Sequence, residues 1–270
     1  MDVMQKTYVY IKLIKVLNKI FSIKVLIFTT FSFLLLNSET FPKEEYWNFS
    51  NGNFEAHKFS KLKEINTGNI SNLKIAWTHK NGFTPKNKNN SQITPIFTGK
   101  SVIISTVNDN LISLDPSNGE EKWRIKLKNP TAKRGLLYLE QYKSIFASTG
   151  SGVIAIDETT GQINKSLGKE GYFGESKSLL SPIVYKEKVL VAFLNKVESF
   201  SLKEGKRNWS LNLNGARVWS GFSYDKKTNT VAIVTSNLVH LWGKTDINPD
   251  YTNSLILLNG DTGEIKCKFK

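Results

Sequence analysis

Cysteine, methionine, histidine and arginine are all scarce in this 270-residue chain, and each scarcity removes a class of chemistry. Cys267 is the only cysteine, so no intrachain disulfide forms and every cysteine-rich zinc pattern is excluded. The histidines are His57, His79 and His240, too far apart for the HExxH spacing that puts two imidazoles on one helix face. No GxGxxG, Walker loop, GxSxG elbow or EF-hand loop occurs, which removes the usual marks of dinucleotide, nucleotide, serine-hydrolase and calcium-sensor sites. The arginines are Arg124, Arg134, Arg207 and Arg217. Against a net charge of +14 that is few, and specific base readout leans on arginine. The lysines are spread through every segment rather than gathered in a stripe. The sequence therefore predicts no nucleic-acid partner.

What is present falls into two parts. Lys6, Lys12, Lys15, Lys19 and Lys24 precede an uncharged run from Val25 to Leu36, the pattern of an export signal. The run is short for a membrane span, which needs ~20 apolar residues. Extended back to Ile20 it becomes a possible anchor helix, with Lys24 reaching to the interface. Residues 1–40 are accordingly read as a signal peptide or membrane anchor, a hydrophobic N-terminal helix addressed to the periplasm. Residues 41–270 are read as the folded domain, and a hydrophobic content of 40% supports a core there.

Beyond Phe41 the pattern is short apolar runs closed by glycine-containing turns, the signature of many short strands. Four of these turns align: LISLDPSNGEEKW from Leu111, VIAIDETTGQINK from Val153, VESFSLKEGKRNW from Val197 and LILLNGDTGEIKC from Leu255. One position holds Asp115, Asp157, Ser201 or Asn259, whose side-chain oxygen accepts from the backbone of the turn it opens. Four residues on stands Gly119, Gly161, Gly205 or Gly263, and four further Trp123, Lys165, Trp209 or Cys267. The residue before each turn, Leu114, Ile156, Phe200 or Leu258, is apolar and expected to face the core. Spacings of 42, 44 and 58 residues between the glycines match four-stranded propeller blades, whose period is ~40–45. The longer last interval places an insertion in His240 to Asn253. Elsewhere Gly150-Ser151-Gly152 reads as a turn, Ser60 and Lys63 lack the companions of an SxxK enzyme, and Asn108-Asp109-Asn110 reads as a polar hairpin tip.

A second set of residues is more specific. Ser60, Leu62, Ile65, Asn66, Asn69, Leu73, Trp77 and Gly82 fall in the register of an opening segment, SxLxxINxxNxxxLxxxW and then Gly. They are followed in order by Gln92 to Ile96, Lys133 to Tyr138, Ser181-Pro182, Val218 to Asp225, Val234 to Asn237 and Asn253 to Glu264. In these motifs the chain resembles the alcohol and glucose dehydrogenases that depend on pyrroloquinoline quinone (PQQ). The resemblance implies an all-β fold, a partial β-propeller with about four to five four-stranded blades of an eight-bladed type. It also implies PQQ beside a bound Ca²⁺, with a small alcohol or sugar as substrate and a respiratory electron acceptor.

Carried over residue by residue, the resemblance assigns Gln92, Arg134 and Trp219 to the cofactor and Asn237 to the metal. Gln92 stands where many members have a cofactor-touching Glu. Arg134 matches a guanidinium that donates to the quinone oxygens, and Trp219 a tryptophan of the cofactor floor. Gly221 stands where alcohol dehydrogenases place a second, stacking Trp. The run AFLNKVES lacks the longer loop that carries a calcium-binding Glu in many members, and the chain stops before the segment HDxWDxD that supplies the base. The expectation is a domain inactive alone, with a partner chain completing the propeller. The alternative is a non-catalytic propeller that serves as a protein-binding scaffold in the envelope.

Overall fold

Each aligned turn of the sequence becomes the same hairpin corner in the computed structural model, which describes residues 46–82, 92–106, 110–127, 131–178, 180–236 and 250–270. At all four corners the glycine N–H donates to the carbonyl of Asp115, Asp157, Ser201 or Asn259, at 2.8–2.9 Å. The same four residues receive a backbone N–H on their side-chain oxygens, as from Ser117 to Asp115 and from Asp261 to Asn259, both 2.8 Å. The corner glycines have φ between 67° and 75°, a left-handed conformation that only glycine adopts without steric cost. Leu114, Ile156, Phe200 and Leu258 are all buried, as their position before the corner requires.

Sixteen strands among the described residues make four antiparallel four-stranded sheets in sequence order. The first holds β1 (Ile96–Phe97), β2 (Val102–Ser105), β3 (Asn110–Leu114) and β4 (Glu121–Lys126). The second holds β5 (Thr131–Leu139), β6 (Ser144–Thr149), β7 (Gly152–Asp157) and β8 (Tyr172–Phe173). The third holds β9 (Ile183–Tyr185), β10 (Lys188–Ala192), β11 (Lys196–Ser201) and β12 (Arg207–Asn212). The fourth holds β13 (Val218–Asp225), β14 (Thr230–Thr235), β15 (Leu255–Asn259) and β16 (Ile265–Phe269). Each sheet is a plain meander, with sequence neighbours paired antiparallel. The expected N-terminal helix, Asn108-Asp109 and most of the expected insertion lie outside the described residues. Among those described, no helix is long and apolar enough to cross a membrane.

Tryptophans couple the first sheet to the second and the third to the fourth. Trp123, on β4, lies over the corner glycine of the second sheet, and a Cβ built on Gly161 would stand 2.8 Å from its ring. Its indole N–H donates to the carbonyl of Glu158, 2.8 Å away. Trp209, on β12, covers Gly263 in the same way and points its N–H at the carbonyl of Gly260, at 3.4 Å. Burying such a ring contributes on the order of 3 kcal/mol. The second sheet carries Lys165 at this position, and a different group takes over. The backbone of Gly168 and Lys169 lies on Gly205, and the Gly168 N–H donates to the carbonyl of Leu202 at 2.8 Å. A main-chain amide thus makes the hydrogen bond that an indole makes at the other junctions.

Trp77 repeats the device one step earlier. It covers Gly119, and its N–H donates to the carbonyl of Pro116 at 2.9 Å. Trp123 and Trp209 each sit on the last strand of a complete sheet, whereas residues around Trp77 belong to no sheet among the described residues. Leu73 and Ile75 nearby are 57% and 83% exposed. The segment is held further by His79, whose Nε2 lies 2.7 Å from Glu121. Hydrogen bonding from Arg124, then from His79, lowers the Glu121 carboxyl from 4.5 to about 2. A carboxylate whose pKa falls on folding stabilises the fold above its unfolded pKa and loses that contribution as pH drops through the folded value. Amide exchange near Trp77 is therefore expected to be slower in the wild type than in Glu121→Gln above pH 4.5, with the difference closing as the pH approaches about 2. A difference that persisted at the lowest pH would contradict this.

Candidate functional site

The first strands of the four sheets, β1, β5, β9 and β13, are tied together by one irregular segment, Tyr46 to Lys58. The carbonyl of Trp47 accepts from Phe97 N–H on β1, and that of Asn48 from Tyr138 N–H on β5, both at 2.8 Å. The carbonyl of Phe54 accepts from Tyr224 N–H on β13 at 2.9 Å. The Ser50 hydroxyl meets that of Ser181, just before β9, at 3.0 Å. Phe49 is fully buried and packs edge-on against Phe54, with 5.4 Å between ring centroids. The strap satisfies backbone groups that the first strands, each at one edge of its sheet, would otherwise leave unpaired.

Three of the four residues assigned by resemblance meet where these first strands begin. The Arg134 guanidinium donates from Nη1 to the carbonyl of Trp219 at 3.0 Å, and from Nη2 to Oε1 of Gln92 at 3.3 Å. Its Cζ lies 5.7 Å from the centroid of the Trp219 ring, within cation–π range. Gln92 lies on the approach to the first sheet, Arg134 belongs to the second and Trp219 to the fourth, so one side chain links the second sheet to the fourth and to the segment entering the first. A backbone bridge between Arg134 and Leu180 brings in the approach to the third. Asn237 lies outside the described residues.

The backbone explains why these groups face one another. The register of β5 on β6 jumps from Thr131↔Thr149 to Leu136↔Ala147, leaving Arg134 inside a bulge. The register of β13 on β14 jumps from Val218↔Thr235 to Phe222↔Ile233, leaving Trp219 inside another. Bulged residues leave the ladder, which re-aims side chains and frees carbonyls such as that of Trp219. Gly221 completes the second bulge at φ 95°. A Cβ there would meet only the Asn51 amide nitrogen, at 3.4 Å, so the side chain missing at this position leaves room beside Trp219.

The cluster's electrostatics are simple. Both polar partners of Arg134 are neutral, and among the described residues no carboxylate pairs with it. Trp219 is 51% exposed. A guanidinium with uncompensated charge, a side-chain amide and an accessible indole suit a planar anion bearing carboxylate and carbonyl oxygens. No group of three His, Cys, Asp or Glu side chains able to hold a metal ion occurs among the described residues. The sequence marked Ser181-Pro182, Lys133 to Tyr138 and Val218 to Asp225 as family motifs, but neither the bulges within them nor the pairing of Ser181 with Ser50 was legible, because these depend on partners far away along the chain.

Comparison with known proteins gives the family and the fold. A sequence profile described as the glucose/ethanol/alcohol dehydrogenase beta-propeller domain, a PQQ family, matches residues 47–181. The chain is similar to quinoprotein glucose dehydrogenase A of Acinetobacter calcoaceticus, 26% identical over 79% of this chain and 36% of that protein. It is also similar to quinoprotein glucose dehydrogenase of Escherichia coli, 22% identical over 84% of this chain and 37% of the relative. The chain thus spans little more than a third of the length of these two curated relatives. A quinohemoprotein alcohol dehydrogenase from Pseudomonas putida HK5 superposes with a TM-score of 0.68 at 17% identity, over 84% of this chain and 40% of its own. That likeness is one of fold.

Proposed function

Because this chain belongs to the beta-propeller family of PQQ-dependent glucose, ethanol and alcohol dehydrogenases, we propose that the cluster around Arg134 holds the quinone in a protein that oxidises an alcohol or a sugar. One observation carries the reading: a single guanidinium spans Gln92, Trp219 and the second sheet without any carboxylate partner among the described residues. Arg134 donates to carboxylate and carbonyl oxygens of the ligand, Trp219 offers its ring face, and the Gln92 amide orients the guanidinium. When bound, PQQ supplies the electron acceptor that oxidation of a hydroxyl requires. Calcium at Asn237 belongs to this proposal through the resemblance, since a hard cation suits an amide oxygen. Export by residues 1–40, with residues 20–36 as an anchor, and a respiratory electron acceptor belong to it on the same footing.

Trp77 supports the remaining part of the reading. On this reading the residues around it take the place of the last strand of a further blade, which strands from a partner chain or a longer form of the protein would complete. On this account the present chain binds the quinone without turning over substrate, because the proton-accepting base belongs to the strands that complete the ring. Reconstitution with PQQ and Ca²⁺, gel filtration, and dye reduction with alcohols and sugars test both parts. The expected outcome is retained quinone without dye reduction. Turnover by the chain alone would refute the need for further strands, and failure of the folded chain to retain quinone would refute the site.

The Gln92 contact yields a separate prediction. Gln92→Ala would remove the neutral amide oxygen that accepts from Arg134 Nη2. PQQ affinity, followed by quenching of tryptophan fluorescence, is expected to fall by about threefold, as loss of one orienting hydrogen bond would give. An unchanged affinity would contradict the assigned role of the amide.

A further inference from the structure

We infer that Ser181 is a positioning residue for Arg134, holding the backbone from which the guanidinium reaches Gln92 and Trp219. The inference rests on the quinone reading for its functional consequence, but its geometry is independent of that reading. The Ser181 side chain is buried, with 3% of the residue exposed. Its Oγ lies 2.7 Å from the carbonyl of Arg134 and 2.9 Å from that of Leu136. It also lies 3.0 Å from Oγ of Ser50 on the strap. A hydroxyl carries one proton, and carbonyls only accept. The Ser181 proton is therefore shared between the two carbonyls, and Ser50 donates to Ser181.

The need for this arrangement follows from the bulge. Between Thr131 and Leu136 the strand β5 departs from its ladder with β6, so the β-sheet does not fix the position of Arg134. The bridge between Arg134 and Leu180 and the Ser181 hydroxyl fix it from the other side. Arg134 must meet Gln92 and the Trp219 carbonyl at the same time. A displacement of about 1 Å at its backbone is enough to break such a two-ended contact. Ser181 thereby transmits the placement of the strap and of the third sheet to the guanidinium, without contacting the ligand.

The test uses the full chain and the variants S181A, S50A, R134A and S181A/R134A, each checked for a cooperative melt. PQQ is titrated by fluorescence quenching, and the Arg134 Nε–H resonance, identified by its loss in R134K, is followed in nitrogen-15 spectra without PQQ. S181A is expected to lower PQQ affinity about tenfold, the cost of leaving buried carbonyls unsatisfied and the donor misplaced. S50A is expected to act in the same direction by roughly threefold, and it decides the matter if S181A does not fold. In the R134A background, removal of the Ser181 hydroxyl is expected to have almost no further effect, because coupled residues are non-additive. The resonance is expected to shift or broaden in S181A and S50A. An unmoved resonance in both, or an equal loss of affinity with and without Arg134, would overturn the positioning role. A resonance that moves in a chain that does not bind PQQ would uphold it while the quinone reading fell.

Discussion

Replacing Arg134 by alanine is expected to weaken PQQ binding by about 100-fold while the melting temperature changes little. Among the described residues the partners of the guanidinium are neutral, which leaves its charge to a ligand. Two charge-assisted hydrogen bonds to an anion are worth about 3 kcal/mol together, and that energy is ~100-fold in affinity. The structural cost is small because Arg134 is only half-buried and water can solvate the Trp219 carbonyl once the side chain is gone. Arg134→Lys keeps the charge and loses the planar fork, so it is expected to fall between the two, at about tenfold. A calorimetric titration of the three proteins measures this. Equal affinities would mean that the ligand binds elsewhere.

Gly161→Ala should cost about 3 kcal/mol in urea unfolding, although it adds only one methyl group. The new Cβ would stand 2.8 Å from the Trp123 ring, and the ring cannot slide away without surrendering its hydrogen bond to the Glu158 carbonyl. The backbone adds to the cost, because φ of 71° is unfavourable for any residue with a side chain. Trp123→Phe, which keeps most of the packing and drops the N–H, is expected to cost about 1 kcal/mol. Restoring the repeat by Lys165→Trp should bring no gain. Lys165 is exposed, and the Gly168–Lys169 backbone already covers Gly205. A loss below about 1 kcal/mol for Gly161→Ala would show that the ring and the corner are not in rigid contact.

The two kinds of contact differ in how far the sequence reveals them. A corner is local: its acceptor, its glycine and the apolar residue before it lie within a few positions. The aligned segments therefore predicted all four corners and the burial of Leu114, Ile156, Phe200 and Leu258. The gap at Lys165 was visible, but its replacement was not, because nothing in the residue type of Gly168 announces that its N–H reaches Leu202. The site is non-local. Gln92, Arg134 and Trp219 were named through family resemblance, while their meeting depends on bulges at two strand positions with no composition signal. Ser50 and Ser181 stand 131 residues apart, and no spacing rule connects two ordinary serines at that distance.

Equilibrium binding of PQQ to the full folded chain tests the central claim most directly. Calorimetry is expected to give one quinone per chain, with an affinity that weakens as salt screens Arg134 and that largely disappears in Arg134→Ala. A chain that melts cooperatively yet takes up no quinone, or takes it up equally well without that guanidinium, would contradict the account.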